Sequence, residues 1–195
     1  MPKILGTSKN RTFRVLWMLE ELGVDYLQVA VPPRAPEVTA LNASGKVPVY
    51  VEDDGTVLTD STAIITYLAD LHGQFTHRAG TTLRGAQDAM TCGILDELEG
   101  PLWTAAKHSF ILPEERRVPA IKESLKWEFG QSADRLAKRI KGPFVMGDQM
   151  TIPDILLAHC TGWSISAKFG PENAVLLDHF KRMGERPAYV RARAL

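Results

Sequence analysis

The apolar residues of this chain change their period near residue 75, and that change limits the architecture more than any other feature. Before it, runs of strand length alternate with helical stretches; after it, only helical periods occur. Such a pattern excludes a pure bundle and a pure sandwich, and calls for an α/β layer followed by an all-helical part. Lys3 to Thr7 is a short apolar run broken by Gly6, the mark of a buried strand. Val15, Met18, Leu19 and Leu22 recur at i, i+3, i+4 and i+7, one stripe of a helix that Gly23 can end. Tyr26 to Val31 reads as a second strand, stopped by Pro32-Pro33, and Pro36 to Leu41 as a short helix. Pro48 to Val51 and Thr56 to Leu58 flank Asp53-Asp54-Gly55, a hairpin signal. Ile64, Tyr67 or Leu68, and Leu71 then mark a helix from about Asp60. The predicted order is β-α-β-α-β-β-α.

A strand, helix and strand in succession make a parallel crossover, and the later hairpin adds antiparallel strands to the same sheet. This order resembles the thioredoxin-like arrangement. From Leu83 onward the periods predict helices over 84–110 and 114–141, separated by Pro113, with Gly142-Pro143 closing the second and a kink or break at Gly100-Pro101. Thr151-Ile152-Pro153-Asp154 reads as a capping box, with Met150 and Ile155 as its hydrophobic staple. Shorter helices are expected over 172–184 and from Pro187. The predicted organisation is an α/β domain over 1–75, a linker over 76–83 and an all-helical domain over 84–195.

With 23 basic and 23 acidic residues the formal net charge is zero, which argues against the basic footprint that nucleic-acid binding requires. No apolar run approaches the roughly 20 residues that span a bilayer, and the N-terminal residues hold no stretch of signal-peptide length, so a cytoplasmic protein without a membrane partner is expected. Cys92 and Cys160 show no metal-ligand spacing; both are expected to be buried, reduced thiols, and no metal site is predicted.

Two segments carry the functional signal. Gly45-Lys46-Val47-Pro48-Val49 opens a strand with proline, and Asp60-Ser61 opens an amphipathic helix with a carboxylate and a hydroxyl. Asp and Ser are ordinary helix-capping residues. The same groups, with main-chain N–H groups at a helix start, also suit a zwitterionic, peptide-like ligand.

The strings Arg14-Val-Leu-Trp-Met-Leu-Glu-Glu-Leu-Gly23, Val47-Pro48, Leu58-Thr-Asp60-Ser61-Thr-Ala-Ile-Ile-Thr-Tyr-Leu68 and Gly147-Asp148-Gln-Met-Thr151-Ile-Pro-Asp154, in that order, closely resemble a bacterial glutathione S-transferase. The resemblance spans nearly the whole chain. It implies a thioredoxin-like glutathione-binding domain, a helical domain that builds an electrophile site between the two, and a homodimer. It also implies a cis Pro48, main-chain pairing of Val47 with the cysteinyl part of glutathione, Ser61 on the γ-glutamyl carboxylate and Asp60 on its ammonium. The family often has a longer acid at the Asp60 position. Lys46 matches a position that pairs with the glycyl carboxylate. Reduced glutathione is then the co-substrate, and the enzyme's task is to stabilise its thiolate. Ser8 in the loop Thr7-Ser8-Lys9-Asn10-Arg11-Thr12 is the first candidate donor, with Asn10 and Thr12 as alternatives. The loop holds no tyrosine or cysteine, which argues against a tyrosine-type mechanism and against a covalent mixed disulfide. Trp103, His108, Phe110 and Trp163 are the candidates for the hydrophobic electrophile site. A glutathione-dependent disulfide or peroxide reductase, or a non-catalytic ligand- or partner-binding protein, are the alternatives on the same fold.

Overall fold

The computed structural model describes residues 1–170 and 172–195. They form two compact units, Met1–Arg78 with Gly184–Leu195, and Ala79–Met183.

In the first unit the elements follow the predicted order: β1 (Lys3–Leu5), α1 (Thr12–Leu22), β2 (Leu27–Val29), α2 (Pro36–Thr39), β3 (Val49–Val51), β4 (Val57–Thr59) and α3 (Ser61–His72). The sheet order is β2-β1-β3-β4, with β1 parallel to β2 and antiparallel to β3, and β3 antiparallel to β4. Thr12 to Leu19 of α1 are all buried, because the helix is covered by the sheet, by α3 and by α9 (Pro187–Arg193). The other side of the sheet carries a small apolar cluster of Leu5, Val38 and Val49, joined by Val47.

That α9 belongs to the first unit departs from the predicted division, in which everything after residue 83 is one helical domain. Periodicity reveals a helix but not what it packs against. Here the Tyr189 ring stands edge-on to Phe13 (5.1 Å) and Trp17 (4.9 Å), and the guanidinium groups of Arg186 and Arg191 bind Glu21 and Glu20 of α1.

The second unit is helical. α4 (Thr82–Gly93) runs through a π-helical turn (Ile94–Glu99) into α5 (Gly100–Ala106), and a second π-helical turn (Lys107–Ile111) follows. Where a kink or break was expected at Gly100-Pro101, the chain stays helical through a π-helical turn. Gly100 N–H bonds Leu95 C=O, five residues back, and this widened turn accommodates a proline that has no N–H of its own. The helix expected from residue 114 starts later: a 3₁₀ turn (Glu114–Arg116) comes first, and α6 spans Ile121–Ala137. Pro119 explains the delay, since the residue before a proline is disfavoured in the α region. α7 (Ile152–Ser166) and α8 (Ala174–Gly184) complete the unit.

Cys160 is buried, but Cys92 is exposed on α4, against the expectation that both thiols are interior. No helix among the described residues is long and apolar enough to cross a membrane.

Candidate functional site

The register of the sheet gathers the expected site. Leu5, the last residue of β1, lies opposite Val49, the first of β3, and Val49 lies opposite Thr59, the last of β4. The loop after β1, the turn before β3 and the start of α3 therefore emerge at one end of the sheet. Ser8, Asn10 and Thr12 come from the first, Lys46, Val47 and Pro48 from the second, and Asp60 and Ser61 from the third.

The Val47–Pro48 peptide bond is cis. Val47 sends its side chain into the cluster beneath the sheet, while neither its N–H nor its C=O bonds any described residue. A main chain held at a sheet end with both groups open is what an added antiparallel segment pairs with. Lys46 is exposed; its N–H bonds Ser44 Oγ (3.3 Å) and its C=O accepts from Asn42 Nδ2 (3.0 Å).

At the start of α3, Asp60 Oδ1 accepts the N–H groups of Thr62 (2.8 Å) and Ala63 (3.1 Å), so the bland capping role is real. It uses half of the group. Oδ2 of this exposed carboxylate bonds no described residue, and the N–H of Ser61 is likewise open. Asp60 also sits at φ 70°, ψ 124°, a backbone region that non-glycine residues rarely occupy and keep only where the surrounding structure holds them there. Ser61 is 1% exposed, and its Oγ accepts from Nη1 of Arg14 (3.2 Å), itself 1% exposed. Arg14 was not among the sequence-predicted site residues. Its signal was a charged residue inside an apolar helical string, beside Phe13 and Val15.

The three candidate donors of the first loop have different surroundings. Ser8 is 8% exposed and gives its single hydroxyl hydrogen to the main-chain oxygen of Leu195 at 2.6 Å. Thr12 is fully buried, with Oγ1 against Gly6: a Cβ built on Gly6, which has φ 127°, would stand 2.1 Å from that oxygen. Asn10 is half-buried; its Oδ1 caps α1 by accepting Thr12 N–H (2.9 Å), which fixes the amide so that Nδ2 faces Thr7 Oγ1 (3.3 Å). An amide nitrogen carries two hydrogens, so Asn10 keeps one N–H that no described residue accepts.

The four electrophile-site candidates lie in the second unit. Trp103 is half-buried on α5. His108, in the second π-helical turn, accepts Val118 N–H at Nδ1 (3.1 Å) and thereby holds the segment after that turn. Phe110 is 67% exposed, and Trp163 meets His159 edge-to-face at 6.2 Å. His108 thus has an evident structural task. Among the described residues no group of three or more His, Cys, Asp or Glu is placed to hold a metal.

A separate groove on the first unit is lined by Glu20, Tyr26, Gln28 and Arg191 among others, and by none of the site candidates. Within it Glu20 binds both Tyr26 Oη (2.9 Å) and Arg191. Burial, and then the bond to Glu20, hold the Tyr26 phenol above its ordinary range.

Residues 11–71 match the glutathione S-transferase N-terminal domain. A glutathione transferase of Methylococcus capsulatus is similar in structure over 100% of this chain and 98% of its own, at 24% identity and a TM-score of 0.86. The ternary complex of BphK, a bacterial GST, is similar over 98% of both chains, at 22% identity and a TM-score of 0.88. A glutathione transferase family member of Pseudomonas fluorescens, with two glutathione bound, is similar over 98% of this chain and 92% of its own, at 20% identity and a TM-score of 0.83. No curated protein matches in sequence. Residues 11–71 are therefore similar to a glutathione S-transferase N-terminal domain, and the whole chain shares the fold of these solved structures.

Proposed function

We propose that the first unit binds reduced glutathione and that the protein is a glutathione transferase, activating the bound thiol for attack on an electrophilic small molecule. The observation that carries this reading is the set of open groups at one sheet end: the Val47 N–H and C=O, the Ser61 N–H and the second oxygen of Asp60. They match the cysteinyl main chain, the γ-glutamyl carboxylate and the ammonium of glutathione. Lys46, exposed beside Val47, is the partner for the glycyl carboxylate. The homodimer and the apolar electrophile, with Trp103, Phe110 and Trp163 as its contacts, belong to the same reading.

The thiol of glutathione resembles free cysteine, with a pKa of about 8.5. Lowering it by about 2 units requires about 2.7 kcal/mol. A helix N-terminus supplies about 0.3–1 kcal/mol and a hydrogen bond to the charged sulfur about 1.5–3, so a donor in the first loop is the larger contribution. Ser8 can serve only by releasing Leu195, and Thr12 is enclosed. The second N–H of Asn10 is available without rearrangement, and we assign it the role of thiolate donor. Asn10→Asp keeps an oxygen to cap α1 but removes that donor. It is expected to raise the bound thiol's pKa by about 1–2 units, read as thiolate absorbance against pH. An unmoved titration would remove Asn10 from the chemistry.

A second reading, a glutathione-dependent disulfide or peroxide reductase, uses the same amide donor in place of the engaged Ser8 hydroxyl. Comparing turnover of a chlorinated aromatic with that of hydroxyethyl disulfide separates the two. Turnover of neither, with glutathione still bound, would leave the non-catalytic binding protein.

A further inference from the structure

Arg14 lies on α1, Ser61 at the start of α3, and the two side chains meet in the interior, each 1% exposed. A guanidinium has donors only, so at Nη1 it fills a lone pair of Ser61 Oγ and can take nothing back. The hydroxyl hydrogen of Ser61 then has to go elsewhere, and no described residue accepts it. The consequence is directional. With its oxygen turned towards Arg14, Ser61 presents itself as a donor, next to its own open N–H, at the helix N-terminus where an anion is favoured. An uncharged partner able to accept would let the hydroxyl turn inward instead. In a dry setting the difference between a donating and an accepting hydroxyl is large, because an unmatched polar group there is not rescued by water.

We propose that Arg14 is a positioning residue that acts through Ser61, orienting its hydroxyl as a donor and making the start of α3 selective for a carboxylate. This inference rests on the glutathione reading and names the residue that sets its preference for the γ-glutamyl carboxylate. The selective quantity is a ratio: the affinity for glutathione over that for 4-aminobutanoyl-cysteinyl-glycine, which keeps the amine and lacks that carboxylate.

The experiment measures both affinities by calorimetry in the wild-type chain, Arg14→Met, Arg14→Lys, Ser61→Ala and the Arg14→Met/Ser61→Ala double variant. Wild type is expected to favour glutathione by roughly tenfold or more, the value of one hydrogen bond to a charged group. Arg14→Met should lose most of that ratio, while affinity for the analogue stays nearly constant. Arg14→Lys should recover part of it, since a lysine also only donates. The losses from Arg14→Met and Ser61→Ala should not add, because both remove one oriented hydroxyl. In turnover the Arg14→Met change should appear in KM, with kcat at saturation held, as expected for uniform binding. Because the ratio is formed within each preparation, a fraction of unfolded protein cancels from it; if Arg14→Met does not fold, Arg14→Lys decides by the same ratio. A wild-type chain that binds no glutathione would overturn the underlying reading. A wild-type chain that discriminates, with the ratio unmoved in the Arg14 variants or additive with Ser61→Ala, would overturn the inference alone.

Discussion

Two helices in this protein begin with the same chemistry and end up with opposite degrees of closure. At α7, Asp154 is fully buried and every oxygen is engaged: Oδ2 takes Thr151 N–H (2.8 Å) and the Thr151 hydroxyl (3.2 Å), while Oδ1 takes Val145 N–H (2.8 Å) and His179 Nε2 (2.8 Å). That one carboxylate ties the loop before α7, the helix itself and α8 together. At α3, the cap Asp60 is exposed, uses one oxygen, and leaves the other open beside the open N–H of Ser61. A helix start whose polar groups are all satisfied from within can only hold the fold. One that leaves several of them unanswered at a sheet end can also hold a ligand.

The largest expected effect breaks the closed start. Asp154→Ala would leave the N–H groups of Val145, Thr151 and His179 buried without an acceptor, and each such group costs about 1–3 kcal/mol. We expect a loss of about 3 kcal/mol or more, seen as a lower midpoint in urea unfolding. A variant as stable as the parent would mean that the network at α7 closes nothing. The next effect breaks the open start. Asp60→Asn keeps an oxygen for Thr62 and Ala63 and tolerates the positive φ, but removes the charge. Glutathione affinity should fall by roughly tenfold in calorimetry with the unfolding midpoint nearly unchanged. Asp60→Ala removes the cap as well, and should add a stability loss of about 1 kcal/mol. Equal stability losses at Asp60→Asn and Asp154→Ala, with no loss of affinity, would erase the contrast.

Both starts were visible in the sequence, but not the difference between them. Asp-Ser before an apolar helix and Thr-x-x-Asp before another are local signals, and the cap at α3 and the capping box at α7 form as the spacing predicted. The strand order was legible for the same reason, since alternating periods, Pro32-Pro33 and Asp54-Gly55 act on their own neighbours. What closes α7 comes from Val145 and His179, the second of them 25 residues on, and no pattern announced either. Likewise Arg14 reaches Ser61 across 47 residues, and α9 returns to α1 through Tyr189 and Arg186. The late start of α6 has a local cause in the sequence, Pro119. The exposure of Cys92 had none, since one thiol on an amphipathic helix carries no sign of which way it faces.

The smallest expected effect concerns the start of α1, the third member of the comparison and the second open one. Asn10 Oδ1 caps it, and Ser8, two residues earlier, gives its hydrogen to Leu195. If Ser8 belongs to the fold and Asn10 to the chemistry, Ser8→Ala should lower stability by about 1 kcal/mol, the net value of one hydrogen bond. The same change should move the bound thiol's pKa by well under about half a unit. Thiolate absorbance across pH 5 to 9 and a urea midpoint on the same preparation read both quantities. A rise of about 1–2 units in the thiol pKa would return the donor role to Ser8, for then its bond to Leu195 must open when glutathione binds. In that case the start of α1 would resemble α7 in the free protein and α3 in the complex, with the Leu195 oxygen occupying the hydroxyl until the sulfur takes it.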